Sequence, residues 1–415
     1  MIYLIAFIIF ALPSYLIKFS ISVPLAGGVS IPTTFLEVLI YIATILTVIF
    51  SIKNKDIKPY LKAKKYFIPI ILFILAGLIS IFISADKISA LGLFKAYIVD
   101  PILLFFVIIF NIKSKKDINL IINSLILSGV VVAIYAIYQR VAGDITSDVR
   151  VLSFYKFWPN ASANYVGLYL APILVLIAGY RSIREKLFKK NTLIFYDISF
   201  FVCLIAIYLT GSRAAAASVA LGLLLIIFVK YWNYINKNLW LKILIPILIV
   251  AGLLFSYNAL RPDFSLNETD GSRITSSNNI RWEIYKTTSE ILKSNWLFGV
   301  GFGSYQDHFK NLTQGRINYP EYIAPYALTP HNLFLNIWVN LGLLGILAFI
   351  WILYIYFRQS VRGKELSIVL GIVMISIIAY GVIDTPYWKN DLSAVFWLIV
   401  GLVVVLKNSK YILEE

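Results

Sequence analysis

Cysteine occurs once in the 415 residues, as Cys203 inside an apolar run. One thiol excludes both a disulfide framework and a thiolate metal site. Charge is scarce as well: 14% of residues are Asp, Glu, Lys or Arg, where an ordinary globular domain carries about 25%. Asp-x-Asp pairs are missing. The nearest approach, Glu268 with Asp270 in N-E-T-D-G, has the oxygen chemistry of a divalent-cation site but reads as two solvated loop carboxylates. No metal site and no cofactor is therefore expected. The dinucleotide fingerprint is absent too, because G-V-G-F-G at 299–303 lacks a βαβ context and reads as a turn. Short alternating segments of the kind a transmembrane barrel needs, a soluble domain, a fixed-period repeat and a low-complexity tail are not expected either.

What is present is apolar sequence. Hydrophobic residues make up 60% of the chain and the mean hydropathy is +0.82. Runs near 20 residues recur throughout, the length that crosses a hydrocarbon core about 30 Å thick. Lipid offers no partner to a free backbone N–H or C=O, so such runs must be helical. The expected fold class is an all-α polytopic membrane protein of about twelve transmembrane helices. The candidate spans are 1–19, 33–52, 66–84, 89–112, 117–139, 162–180, 193–210, 214–230, 241–257, 331–357, 366–384 and 391–407. Residues 1–17 resemble a signal peptide, but further spans follow and no small-residue cleavage site lies close, so an uncleaved helix is expected.

The net charge of +16 reflects lysine and arginine on alternate connectors rather than a nucleic-acid surface. Six lysines lie in 53–65, and Lys113, Lys115 and Lys116 follow the fourth span. Arg181, Arg184, Lys186, Lys189 and Lys190 follow the sixth, and Lys230, Lys237 and Lys242 flank the eighth connector. Arg358, Arg362 and Lys364 follow the tenth. Every even connector is basic, so both termini are expected in the cytoplasm and odd connectors outside.

Three units follow: 1–257 with nine spans, an outward segment at 258–330, and 331–415 with three spans. The middle segment exceeds ordinary loop lengths, and loops of that size are usually functional. Within it, 279–295 places Ile280, Ile284, Thr288, Ile291 and Leu292 at helical spacing. It reads as an amphipathic helix lying at the membrane surface.

Ionisable groups near membrane depth are functional candidates by default. Here they include Glu37, Lys95, Asp100, Asp197, Arg213 and Asp384, with Asp100-Pro101 expected to interrupt the fourth span. Topology assigns Arg150, Arg213, Arg281 and His331 to the outward face. Taken singly, each arginine reads as a headgroup anchor and the histidine as a solvated helix cap; His308 is given that structural reading. Together they suggest an anionic headgroup beside a base. Arginine grips phosphate through a planar, permanently charged fork, and histidine accepts a proton near neutral pH. The residues alone leave membrane enzyme, transporter and scaffold open.

Several ordered motifs resemble the O-antigen ligase and polymerase superfamily. They are P-T-T-F-L-E at 32–37, F-K-A-Y-I-V-D-P at 94–101, T-G-S-R at 210–213, N-N-I-R-W at 278–282, L-F-G-V-G-F-G-S-Y at 297–305, T-P-H-N-L-F-L at 329–335 with G-L-L-G at 342–345, and G-V-I-D-T-P-Y-W-K-N-D-L at 381–392. The resemblance implies a membrane glycosyltransferase of C-type architecture, active on the outer side of a bacterial cytoplasmic membrane. It implies an undecaprenyl-pyrophosphate-linked glycan as donor and a glycan, lipid or protein hydroxyl as acceptor. Carried over residue by residue, His331 is catalytic and Arg213 and Arg281 bind pyrophosphate. Arg150 and Lys95 are weaker phosphate contacts, and Asp384 and Asn332 supporting residues. Inverting, metal-independent transfer is expected. A polysaccharide polymerase or a protein O-oligosaccharyltransferase of the same superfamily is an alternative, and an inorganic-carbon transporter is one of another class.

Overall fold

The computed structural model describes residues 1–23, 29–54, 61–158, 161–184, 190–232, 277–314 and 327–408. The candidate span 241–257, the Glu268–Asp270 pair and the loop stretches 258–276 and 315–326 lie outside them. The helices are α1 Ile2–Phe10, α2 Phe35–Lys53, α3 Lys64–Ile83, α4 Lys87–Asn111, α5 Lys115–Ala142, α6 Ala163–Arg184 and α7 Lys190–Leu209. They continue with α8 Arg213–Lys230, α9 Ser277–Asn295, α10 Tyr305–Thr313, α11 Leu333–Val361, α12 Glu365–Gly381 and α13 Asn390–Asn408. Among the described residues eight helices are long and apolar enough to cross a membrane, and Leu193–Leu209 and Glu365–Gly381 are shorter apolar segments.

Helix α13 is the most enclosed candidate span, packed against α4, α12 and α11. Around it α11 lies on α3, α12 on α6 and α8, and α5 on α7. Two of the basic connectors meet at one end, where Lys65, Arg358 and Arg362 lie within electrostatic reach of Lys407.

The first expected span does not form. Helix α1 has nine residues and passes into a 3-10 turn at Leu12–Leu16. At about 1.5 and 2.0 Å per residue these rises fall short of a ~30 Å core. The chain then enters strand β1, Lys18–Val23, paired antiparallel with β2, Val29–Thr34. The alternation in K-F-S-I-S-V is a period-two signal masked by the surrounding hydrophobicity. Thr34 closes the hairpin and starts α2 through a capping box: Glu37 N–H donates to Thr34 Oγ1 at 3.2 Å and Thr34 N–H to Glu37 at 3.1 Å.

Asp100-Pro101 does not interrupt α4 either. The helix relaxes into a π turn at Lys95–Val99 and continues to Asn111, with Tyr41 donating to the buried Asp100 carboxylate at 2.7 Å.

The break falls in α11 instead, at Gly342 (φ 68°, ψ −170°). In an unbroken helix Leu343 N–H would donate to Val339 C=O. Here Leu343 N–H donates to Leu297 C=O at 2.9 Å, and Val339 C=O accepts from Val300 N–H at 2.7 Å. The segment after α9 thus enters the hydrogen-bond ladder of α11. Gly299, Gly301 and Gly303 all have positive φ, so G-V-G-F-G is an inserted strap rather than a simple turn. Its far side is held by α3: Phe302 N–H donates to Ser80 Oγ, and Ser80 Oγ to Asn340 C=O, each at 2.8 Å. Ser80→Ala would orphan the buried Phe302 N–H, a loss of about 1–3 kcal/mol. The thermal midpoint of the detergent-purified variant should fall accordingly; an unchanged midpoint would mean that the strap is not held there.

The apolar stripe of α9 is the expected one, but it is turned toward protein. Ile284, Ile291 and Leu292 pack with Val300, Tyr305, Phe309 and Val339, and Thr288 hydrogen-bonds Tyr305 at 2.7 Å. Trp282, Trp296 and Phe298 stay about half exposed, and the two tryptophans are amphipathic residues that favour a membrane interface.

Candidate active site

Helix α11 begins at Leu333, so His331 lies just before it rather than on it. Asn332 is the cap: its Oδ1 accepts from Phe334 and Leu335 N–H at 3.0 Å each, and its Nδ2 donates to Val382 C=O at 3.0 Å. Its role is to fasten the start of α11 to the end of α12. His331 has a φ of +48°, unusual for a side chain with a Cβ and a conformation that costs about 1–3 kcal/mol unless its surroundings impose it. Tyr285, one turn beyond Arg281 on α9, contacts both segments, with its hydroxyl 3.1 Å from His331 C=O and 3.2 Å from Val382 C=O.

The imidazole faces Asp384, with Nδ1 3.4 Å from Oδ1. Asp384 lies in the turn after α12 and is buried. Burial alone would raise its pKa. The His331 bond and charge, the Thr385 N–H at 2.9 Å and the Arg281 charge outweigh burial and hold the carboxyl below its usual range. The carboxylate stays ionised at neutral pH, and its stabilising contribution is lost only as pH falls through that depressed value.

Arg150 reaches the same cluster. Its guanidinium donates to Thr210 C=O and, at 2.8 Å, to Asn164 Oδ1, while Asn164 Nδ2 lies 3.4 Å from Asp384 Oδ2. Ser212 caps α8 and hydrogen-bonds Tyr380 at 2.8 Å. Arg213 follows with an exposed side chain at the helix N-terminus, where unpaired N–H groups favour anions. Arg281 is close enough to act on Asp384, Tyr285 and Tyr380. His331, Asp384, Arg150 and Arg281 are therefore brought together, and Arg213 directly follows the Thr210–Ser212 segment, whose Thr210 C=O Arg150 grips. Lys95 is bound to Glu37 and to Pro32 C=O at 2.8 Å each.

A cavity of ≈ 190 Å³ opens beside the imidazole, lined by Asn164, Tyr165, Thr329, His331, Asp384, Trp388 and Lys389 among others. Tyr285, Asn164 and Lys389 were not legible as site residues. Tyr285 and Asn164 stand in ordinary helical sequence, and Lys389 looks like a charge at a span boundary.

An apolar helical bundle carrying a histidine–carboxylate pair, arginines and a cavity at one end is a polytopic membrane protein with an enzyme-like centre. Residues 198–350, from α7 into α11, match a family described as O-antigen ligase. It is 23% identical over 241 residues to the O-antigen ligase of Salmonella typhimurium, covering 54% of this chain and 55% of that one. It is 25% identical over 317 residues to a Rickettsia typhi protein that carries the name polysaccharide ligase, covering 74% and 73%. An uncharacterized Haemophilus influenzae protein is 25% identical over 339 residues, covering 75% and 78%. The chain thus spans little more than half the length of the Salmonella relative.

Proposed function

We propose that the protein transfers a glycan from undecaprenyl pyrophosphate to an acceptor hydroxyl at the outer face of a bacterial cytoplasmic membrane. The observation that carries this reading is the His331–Asp384 pair facing a cavity with Arg150 and Arg281 around it. The basic gathering of Lys65, Arg358, Arg362 and Lys407 supports a cytoplasmic position for the opposite end and for both termini.

With Nδ1–H donated to Asp384, the Nε2 lone pair of His331 is free to accept the proton of an acceptor hydroxyl. The hydroxyl oxygen forms its bond to the anomeric carbon as the carbon–oxygen bond to pyrophosphate breaks. That electron pair leaves on the pyrophosphate, where Arg213 and Arg281 neutralise the growing charge. Asp384 stabilises the imidazolium that results. A single displacement inverts the anomeric centre and calls on no metal step. Lys95, given its bond to Glu37, contributes to shape rather than to phosphate binding.

Arg213→Ala and Arg281→Ala should each lower kcat/KM for the lipid-linked donor by about 10- to 100-fold, the value of a charged hydrogen bond of about 1.5–3 kcal/mol. Lysine at either position should restore part of the loss, because charge returns without the planar fork. The test is reconstitution with lipid-linked oligosaccharide and a panel of acceptors, scored by released pyrophosphate carrier. Wild-type rates in both alanine variants would remove the pyrophosphate assignment.

A further inference from the structure

The cavity has a second charged wall that the transfer chemistry does not use. Lys389 lies between α12 and α13, only 7% exposed, and lines the cavity together with His331 and Asp384. Its ammonium stands 3.3 Å from the centre of the Tyr165 ring, 4.8 Å from Trp158 and 5.2 Å from Tyr155. Its hydrogen bond is donated to Tyr15 at 3.2 Å. Asp391 and Asp384 act on it at longer range, and among the described residues no carboxylate comes within ion-pair distance. Lys18, on β1, covers Trp158 from 3.5 Å and adds like charge to the same neighbourhood.

A buried ammonium costs several kcal/mol unless an opposite charge or a dense set of hydrogen bonds compensates it. Here aromatic faces and one phenol hydroxyl do part of that work. The remaining direction is the cavity, whose walls are the flat rings of Tyr165 and Trp388 and the polar groups of Asn164 and Thr329. Aromatic faces with a few convergent polar groups suit a sugar ring, and the free cation suits an anionic substituent on it.

We propose that Lys389 is a specificity residue that selects an acceptor sugar bearing an anionic group, a carboxylate or a phosphate ester. The assignment to the acceptor rests on the transfer reading, because His331, the base for the acceptor hydroxyl, borders the same cavity. Burial, the largest influence, brings the Lys389 pKa down to about 8 against the opposing pull of Asp391 and Asp384. Anion binding needs the protonated amine, so it should weaken as pH rises through that region.

The test uses the full-length protein in detergent and three probes: glucuronate, glucose 6-phosphate and glucose. Binding is read by ligand-observed NMR. Wild type should bind at least one anionic sugar about tenfold or more tightly than glucose, and the two anionic probes distinguish carboxylate from phosphate. Lys389→Met should lose that preference, while Lys389→Arg should keep part of it. Equal binding of all three probes, or an unchanged preference in Lys389→Met, overturns the proposal. His331→Ala should keep the preference while losing transfer, so failure of the base assignment and failure of the Lys389 assignment give different results.

Discussion

His331→Ala is expected to lower glycan transfer by about 10²- to 10⁴-fold, the usual worth of a positioned general base, with little change in the amount of folded protein. The side chain is partly exposed and, among the described residues, its close side-chain polar partner is Asp384, so its removal leaves no large hole. Asp384→Asn should fall between wild type and His331→Ala: the amide keeps the shape and loses the charge that would stabilise the imidazolium. The measurement is single-turnover transfer with lipid-linked donor, beside a melting curve for each variant. A His331→Ala protein that transfers at the wild-type rate would remove the proposed base, whatever its stability.

Gly342→Ala is expected to act on the whole fold. A Cβ at this position would collide with Leu297 C=O and stand 2.5 Å from the Phe298 carbonyl carbon. Both are backbone atoms of the inserted strap and cannot swing aside. The φ of 68° with ψ of −170° lies in a region essentially reserved for glycine, costing about 1–3 kcal/mol for other residues. Losing either exchanged backbone bond would add about 1–3 kcal/mol. The sum is comparable with the ~5–15 kcal/mol that keeps an ordinary domain folded. Poor yield of folded protein and a melting midpoint lowered by many degrees are the expected outcomes. Gly299→Ala, whose Cβ would meet Val339 C=O at 2.5 Å, should behave similarly. A Gly342→Ala protein with normal yield and midpoint would show that the strap does not hold α9 to α11.

These two residues show how differently the parts of the protein could be read. His331 was legible because histidine is rare here and stands in T-P-H-N-L-F-L, at the edge of a long apolar run. Its positive φ and its place before the helix were not, since both depend on bonds to distant segments, from Tyr285 to His331 C=O and from Asn332 to Val382 C=O. The grip of Arg150 on Thr210 and Asn164 joins positions 60 and 14 residues apart, a separation without local pattern. The bond of Lys95 to Glu37 likewise joins positions 58 residues apart.

Composition and periodicity by themselves determined that the chain is a helical membrane protein with a basic set of connectors and an amphipathic helix at 279–295. Burying apolar runs in lipid forces helices whatever their neighbours, so those features need no knowledge of the fold. The hairpin in place of the first span, the break in α11 and the union of His331 with Asp384, Arg150 and Lys389 were decided by tertiary structure alone. Each depends on which distant backbone group or side chain takes up a hydrogen bond or charge, and a linear pattern does not encode that choice.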